Sequence, residues 1–264
     1  MTRRRVDALL AERGLLPSRE QARSSVLAGL VRVNGEIVTK AGHLIDEDAD
    51  IQVTARPRFV SRGGEKLARA LESFDVQVSG RRSIDVGAST GGFTDCLLQS
   101  GAASVVALDV GYGQLAWSLR TDERVTVIER TNVRNVDPSE LGAPFDVVVC
   151  DVSFISLRTV IPHLRALLAE SGDLLALVKP QFEAGKGRVG KKGVVRDPQI
   201  HEEVLAGAVE SAHAQELVVR GLEFSPIRGP EGNIEFWLWA SPSGEPTQVT
   251  PAEVVVAAHA VLGG

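Results

Sequence analysis

From about residue 83 to the end of the chain, short apolar runs alternate with amphipathic segments, and this alternation limits the possible folds more than any other feature. A run of about four to eight apolar residues is typical of a strand buried on both faces, whereas a longer segment with apolar residues three and four apart is typical of a helix. Strands and helices that alternate in this way predict an α/β domain with a mostly parallel, doubly wound sheet.

The boundaries of these elements follow from the same pattern. The predicted strands are residues 83–86, 104–109, 125–129, 145–150, 173–178, 216–224 and 233–240. The predicted helices are residues 65–73, 92–99, 114–120, 157–169, 200–214 and 251–262. Because ligands of such sheets bind outside the carboxyl ends of the strands, polar residues at those ends are the first candidates for a functional site.

The composition is that of a folded protein in a reducing compartment. The 264 residues suit one small domain and one of ordinary size, and 44% hydrophobic with 24% charged residues argue for a packed core. Cys96 and Cys150 have no partner at motif spacing, which argues against a disulfide scaffold or a zinc site. No apolar signal core follows the basic start, and no stretch reaches the ~18 apolar residues of a membrane span. We therefore expect a cytoplasmic protein with neither a metal nor a membrane partner.

The two ends of the chain differ in charge. Residues 1–69 contain 13 Lys and Arg against 9 Asp and Glu, whereas residues 70–264 contain 16 against 25. A basic head on an acidic body favours contact between the head and a polyanion, with a solvated basic face as the alternative.

The basic head has a compact pattern of its own. A first short helix ends near Gly14, and Ser18 opens a second one with a capping-box spacing. Arg19 and Arg23 are four residues apart, so they lie on one helix face and can meet one partner together. The pair Asn34-Gly35 between apolar runs then predicts a β-hairpin.

This order of elements resembles the S4 RNA-binding domain over about residues 4–54. The resemblance implies an α+β RNA-binding domain at residues 1–55, and the sequence pattern that follows predicts a linker at 56–62 and the α/β domain at 63–264. The resemblance also implies contacts with RNA phosphates, which give salt-dependent affinity more than base selection. The implied contact residues are Arg3, Arg4, Arg5, Arg19, Arg23 and Lys40.

A glycine-rich turn follows the first strand of the large domain. Its sequence, D-V-G-A-S-T-G-G-F, starts at Asp85, and Ser89 breaks the G-x-G-x-x-G spacing of the usual dinucleotide sites. The turn resembles the loop of S-adenosylmethionine (SAM) enzymes, with a purely structural turn as the alternative. Asp109 ends the second strand, where a carboxylate can accept both ribose hydroxyls, and Asn132 follows the third, where an amide can meet the adenine edge. The predicted cofactor contacts are Asp85, Gly87, Ala88, Ser89, Thr90, Gly91, Gly92, Phe93, Asp109, Asn132 and Asp151.

Four charged residues stand beside the strand ends or at the start of this domain. Asp151 and Lys179 each close an apolar strand, and Glu235 shares a strand with apolar neighbours. A carboxylate in such a place needs a cationic partner, for which Lys66 and Lys179 are the candidates. The set can orient and deprotonate a hydroxyl group, and the alternative is a set of structural ion pairs.

Two further features favour RNA. Phe154 follows Asp151 closely and could stack on an extruded base, although ordinary packing would also explain it. The segment 185–193 is glycine-rich, basic and long for an α/β connection, which predicts an RNA-facing flap rather than a merely solvated loop. Its candidate contacts are Lys186, Arg188, Lys191 and Lys192.

Together these motifs resemble the TlyA family of ribosomal RNA 2'-O-methyltransferases, whose methyltransferase half is similar to the FtsJ family. The resemblance is carried by the S4-like head and by DVGASTGGFT, DVGYGQLAW, ERTN, DVSFISL, VKPQFE and GNIEF. It implies a catalytic tetrad of Lys66, Asp151, Lys179 and Glu235, with SAM as the cofactor. It further implies cytidine targets in 16S RNA of the 30S subunit and 23S RNA of the 50S subunit, and a link to capreomycin sensitivity. Alternatives are an RNA-binding assembly factor with an inert methyltransferase half, or a haemolysin.

Overall fold

The structure is a computed structural model that describes residues 3–27, 29–54, 58–185, 187–190, 193–229 and 231–263. The chain divides into two compact units, Met1–Pro57 and Arg58–Gly264. Residues 58–62, predicted as part of a linker, instead pack on the larger unit. Phe59 is buried in its core, and the Val60 N–H donates to Asp95 at 2.8 Å.

The smaller unit combines two helices with short strands. In chain order it contains β1 (Arg3–Arg5), α1 (Val6–Glu12), α2 (Arg19–Leu27), β2 (Val31–Val33), β3 (Glu36–Val38), β4 (Leu44–Asp46) and β5 (Ile51–Val53). The order β3-β2-β5 forms one sheet, and β1 pairs with β4 in another. The predicted hairpin is confirmed, since Asn34 and Gly35 have φ of +50° and +86° and connect β2 to β3. The sequence pattern missed β1 and β4, because each is three residues long and no turn motif such as Asn34-Gly35 connects it to its partner.

The larger unit alternates strands and helices. It contains α3 (Gly63–Phe74), β6 (Arg82–Val86), α4 (Gly92–Gln99), β7 (Ser104–Leu108), α5 (Trp117–Arg120), β8 (Val125–Ile128), a 3-10 helix (Pro138–Leu141), β9 (Phe145–Cys150), α6 (Leu157–Leu167), β10 (Leu168–Val178), α7 (Pro180–Glu183), α8 (Pro198–His213), β11 (Val218–Phe224), β12 (Phe236–Ser241) and α9 (Pro251–Leu262). None of the helices in the described part of the chain has both the length and the apolar character needed to span a bilayer.

The sheet of this unit has the order β11-β12-β10-β9-β6-β7-β8. The strands from β10 to β8 are parallel, and β12 runs antiparallel to both β10 and β11. The predicted doubly wound, mostly parallel fold is therefore confirmed. Because the chain moves from β6 outward to β8 and returns at β9, a crevice opens between the carboxyl ends of β6 and β9.

Helices cover both faces of the sheet, and the strand period of two distributes the core between them. Val148 and Phe236 pack in the core on one face, whereas their chain neighbours Val147 and Trp237 pack on the other. Each of these four residues has an exposed fraction of 0%. Strands with both faces apolar are what a sheet enclosed by two helical layers requires.

Some predicted boundaries were wrong. The helix expected over 114–120 is only Trp117–Arg120, because Gln114 lies in the preceding loop, where its side chain accepts from Ser89. The last strand starts at Phe236, so Glu235 lies just before it rather than within it. The short helix Pro180–Glu183 was missed, and Pro180 explains it, since proline ends the strand and is favoured at the first helical position.

Candidate active site

The glycine-rich turn between β6 and α4 forms one wall of the crevice. Gly87 has φ of +91°, and a Cβ there would stand 2.6 Å from the carbonyl oxygen of Asp151. The Asp151 N–H in turn donates to the carbonyl of Val86 at 3.0 Å. Only glycine allows the turn to approach the end of β9 this closely.

Asp85 lies beneath this turn and is hydrogen-bonded to the first turn of α4. Its fully buried carboxylate accepts hydrogen bonds from the Thr94 N–H at 2.9 Å and the Thr94 hydroxyl at 2.7 Å. Burial raises the pKa of Asp85 to about 7, and the nearby carboxylates of Asp151 and Asp109 act in the same direction. Asp85 lines neither of the cavities described below, and neither does Gly91, so these two predicted contacts do not lie at a cavity surface.

A first cavity of about 640 Å³ lies at the ends of β6, β7 and β9. Asp109 orients its carboxylate through two backbone donors, the N–H of Ser89 at 2.7 Å and that of Gly111 at 2.6 Å. Asn132 also lines the cavity, and its side-chain oxygen accepts from the Arg134 N–H at 3.1 Å. The cavity thus has a carboxylate and an amide among apolar lining residues, and these two groups match the polar groups of a nucleoside.

A second cavity of about 280 Å³ adjoins the first and shares Gly87, Ser89, Asp151 and Ser153 with it. Its lining adds further residues of the turn and, besides the shared Asp151, two more of the four charged residues. Those lining residues are Ala88, Thr90, Gly92, Phe93, Lys66 and Lys179. A group held in one cavity can therefore meet a group held in the other across Asp151.

The four charged residues form two ion pairs. Lys66 Nζ lies 2.5 Å from Glu235 Oε2, and Lys179 Nζ lies 2.5 Å from Asp151 Oδ1. The structure thus decides between the two candidate partners of Glu235. Glu235 is only 1% exposed, and this burial raises its pKa, while Lys66 opposes the rise.

Two residues that the sequence patterns did not single out complete the pairs. Lys179 also donates to the Ser153 hydroxyl at 3.0 Å, so Ser153 fixes the direction of the ammonium group. Gly229 lies against the other pair, where a Cβ would stand 2.5 Å from Glu235 Oε1. The position of Ser153 beside Asp151 was a signal that could have been used, whereas Gly229 could be found only in three dimensions.

Phe154 presents its ring at the mouth of the first cavity. It is 91% exposed, has φ of +65°, and its ring centroid lies 5.1 Å from that of Phe182. A bulky residue in the left-handed region is uncommon and costs about 1 kcal/mol or more. The backbone thus holds a large apolar ring in solvent, which is how a stacking platform for a planar ligand would be built.

The predicted RNA contacts are distributed between the two units. Arg188 pairs with Glu203 at 2.7 Å, whereas Lys186, Lys191 and Lys192 lie outside the described residues. In the smaller unit several arginines already have acidic partners, namely Arg3 with Asp46 at 3.7 Å, Arg4 with Glu12 at 2.6 Å, Arg5 with Asp7 at 2.7 Å and Arg19 with Asp7 at 3.6 Å. Arg23 and Lys40 are exposed. No cluster of three or more metal-ligating side chains occurs within the described ranges.

A doubly wound sheet with this turn, this crevice and an oriented acidic residue after the second strand defines a methyltransferase-type domain, here preceded by a small α+β unit. A family model described as FtsJ-like methyltransferase matches residues 59–241, and one described as S4 domain matches residues 4–51.

Known proteins resemble the chain over most of its length. It is 51% identical over 242 residues to the 16S/23S rRNA (cytidine-2'-O)-methyltransferase TlyA of Mycobacterium tuberculosis, covering 90% of this chain and 89% of that protein. It is 35% identical over 182 residues to the 23S rRNA (cytidine-2'-O)-methyltransferase TlyA of Campylobacter jejuni, covering 69% and 70%. The solved structure of a Streptococcus thermophilus protein provisionally named a hemolysin matches with a TM-score of 0.76 and 44% identity, over 100% of this chain and 98% of that one. The chain belongs to the TlyA family of S4-containing, FtsJ-like methyltransferases.

Proposed function

We propose that the protein transfers a methyl group from SAM to the 2'-oxygen of a cytidine in ribosomal RNA, acting in the cytoplasm on both the 30S and the 50S subunit. The observation that carries this proposal is the Lys179–Asp151 ion pair at the wall shared by two cavities. One cavity suits a nucleoside cofactor, and the other leaves room for a hydroxyl group beside a lysine. The relation to TlyA proteins further implies a link to capreomycin sensitivity.

The residues of the larger cavity fit SAM. Asp109, held by two backbone N–H groups, keeps lone pairs for ribose hydroxyls, and Asn132 offers an amide for the adenine edge. Gly87 lines both cavities, and its lack of a side chain lets the turn lie directly against Asp151 at the end of β9. Bound SAM would supply an electrophilic methyl carbon.

The protein must then position and deprotonate a weak nucleophile. Lys179, fixed by Asp151 and Ser153, would steer or accept the proton of the ribose 2'-hydroxyl. The Lys66–Glu235 pair would balance charge behind it, since Glu235 is buried and its pKa is raised. The four groups thus form the proposed catalytic set.

RNA would be held in three places. The S4 unit would contact phosphates through its basic residues, of which Arg23 and Lys40 are exposed. Phe154 would stack on the extruded base, because a solvent-held aromatic ring at a cavity mouth offers its face to a planar group. The basic segment 185–193 would add further phosphate contacts.

The test is methyl transfer from labelled SAM to unmodified 30S and 50S subunits, assayed separately, with mapping of the labelled nucleotide. Label on a cytidine 2'-oxygen in both subunits is the expected result. Label in 50S alone would restrict the activity to the kind named for the Campylobacter relative. SAM binding without label on either subunit would contradict the proposal and favour the assembly-factor function.

A further inference from the structure

Asn233 is a buried amide whose two polar atoms are both engaged by one short segment. It is 1% exposed; its Oδ1 accepts from the Val195 N–H at 2.9 Å, and its Nδ2 donates to the Gly193 carbonyl at 2.9 Å. Replacing a buried amide whose oxygen and nitrogen are both hydrogen-bonded is costly, because the backbone groups that it contacts lose their partners. The side chain therefore fixes residues 193–195 in one register.

A second element holds the same segment. His201 Nε2, on α8, lies 3.2 Å from the Val195 carbonyl oxygen, and His201 Nδ1 lies 2.9 Å from His259 Nε2 on α9. Burial and the adjacent His259 lower the pKa of His201 to about 4, so the ring is neutral at physiological pH. Because a carbonyl can only accept, the ring proton belongs on Nε2. Three side-chain hydrogen bonds thus anchor the segment.

The anchored segment lies between two parts of the proposed machinery. It follows directly on the basic stretch 185–193, and Asn233 itself stands two residues before Glu235. The Asn233 carbonyl accepts from the Gly229 N–H at 2.9 Å, and Gly229 packs on the Glu235 carboxylate. The amide therefore joins the end of the basic stretch to the turn that holds Glu235.

We propose that Asn233 is a positioning residue that fixes Gly193 and Val195, at the end of the basic stretch, against the turn that holds Glu235, so that this end is preorganised to bind ribosomal RNA. This proposal rests on the proposed function. Asn233 touches neither cavity lining and would act only through residues 193–195 and Gly229.

The test compares wild-type protein with Asn233→Ala, and with Asn135→Ala as a matched control, since Asn135 is exposed. For Asn233→Ala we expect the KM for ribosomal subunits to rise about tenfold, because two buried hydrogen bonds are lost. The kcat and the Kd for SAM should stay within about twofold of wild type, because Asn233 lines neither cavity and Lys179 is held by Asp151 and Ser153 instead. Hydrogen exchange should accelerate in peptides covering 193–204 and not in those covering β9.

A purely structural role predicts a different result. It would lower the fraction of active enzyme, and hence the apparent kcat, at an unchanged KM, and this outcome would overturn the proposal. Faster exchange with an unchanged KM would overturn it too. If Asn233→Ala does not fold, Asn233→Asp replaces it: this variant keeps the shape and the bond from Val195 but cannot, when ionised, donate to Gly193. The KM should again rise, and an unchanged KM would refute the proposal.

A failure of the proposed function can be distinguished from a failure of the positioning role of Asn233. If wild-type protein labels neither subunit, the methyl-transfer proposal fails, and the role of Asn233 is then decided by the affinity for ribosomal subunits. Weaker binding by Asn233→Ala, with Asn135→Ala unchanged, supports the positioning role, whereas equal binding rejects it.

Discussion

Lys66 and Glu235 are 169 residues apart in the chain, yet their side chains form an ion pair that is almost wholly buried. The pair joins the first turn of α3 to the residue before β12. A buried pair of this kind gains little net stability, because the attraction only offsets the cost of removing two charges from water. Its presence at a cavity wall is therefore better explained by chemistry than by folding.

Breaking this pair should cost stability, and replacing both partners should restore it. Lys66→Met leaves a buried carboxylate without its cation and should lower the free energy of unfolding by about 3 kcal/mol. The double variant Lys66→Met with Glu235→Leu should recover most of that loss. Urea denaturation measures both, and methyl transfer should be absent in each. A double variant as unstable as the single one would contradict this account of the pair.

Lys179→Ala should abolish methyl transfer and leave SAM binding nearly intact, because Lys179 contacts Asp151 and Ser153 rather than the Asp109 side of the crevice. Asp109→Ala provides the reciprocal control and should lose SAM affinity. Calorimetry gives the affinities, and a labelled-SAM assay gives the turnover. Loss of both properties in Lys179→Ala would mean that the two roles are not separate.

Gly87→Ala should weaken SAM binding more than tenfold, since the added Cβ would stand 2.6 Å from the Asp151 carbonyl and distort the crevice. Gly113→Ala is the matched control. Gly113 also has a positive φ, of +71°, but a Cβ there meets nothing within 4 Å. The Gly113→Ala variant should lose only about 1 kcal/mol of stability through conformational strain, and its affinity for SAM should be unchanged. Equal losses in both variants would assign the effect to strain instead.

The pKa of Asp85 gives a pH dependence of stability. Its carboxyl ionises near 3.8 when the chain is unfolded and near 7 when folded. Between these values the folded state binds more protons, so stability should fall as pH rises, by up to about 1.4 kcal/mol per pH unit. Asp85→Asn should lack this contribution, and urea denaturation from pH 4 to pH 8 measures the difference. Parallel curves for the two proteins would show that Asp85 does not titrate in this range.

Exposed cations of the S4 unit should control the salt dependence of ribosome binding. Arg23→Ala with Lys40→Ala should weaken binding and lower the slope of log affinity against log salt by about 2 if each contacts one phosphate. Arg124→Ala, at an exposed arginine of the larger unit, is the control for loss of a surface cation and should leave the slope unchanged. An unaltered slope in the double variant would remove these residues from the RNA surface.

Periodicity and turn chemistry were sufficient to predict the sheet, because buried strands such as Phe145–Cys150 carry an uninterrupted apolar run. The helix Pro251–Leu262 was also predicted to the residue, and the structure shows a capping box of Thr250 and Glu253 around its first turn. The short strands β1 and β4 were not predicted, because they carry neither a long apolar run nor a turn motif.

The site divides in the same way. Asp109, Asp151 and Lys179 could be predicted because each stands at the end of an apolar strand. The partner of Glu235 could not be predicted, because Lys66 and Lys179 were chemically equal candidates. Only the packing of α3 against the sheet identifies Lys66 as the partner. Ser153, Gly229 and Asn233 were missed because each acts through a neighbour that is distant in sequence or hidden by the turn.

The position of β12 between β10 and β11 has a consequence for synthesis. The strand made last is not at the edge of the sheet: β11, made earlier, has β12 as its neighbour in the sheet order and must wait for it. A growing chain therefore carries Lys66 without its counter-charge until Glu235, 169 residues later, has been made. The proposed catalytic set is thus completed only at a late stage of translation.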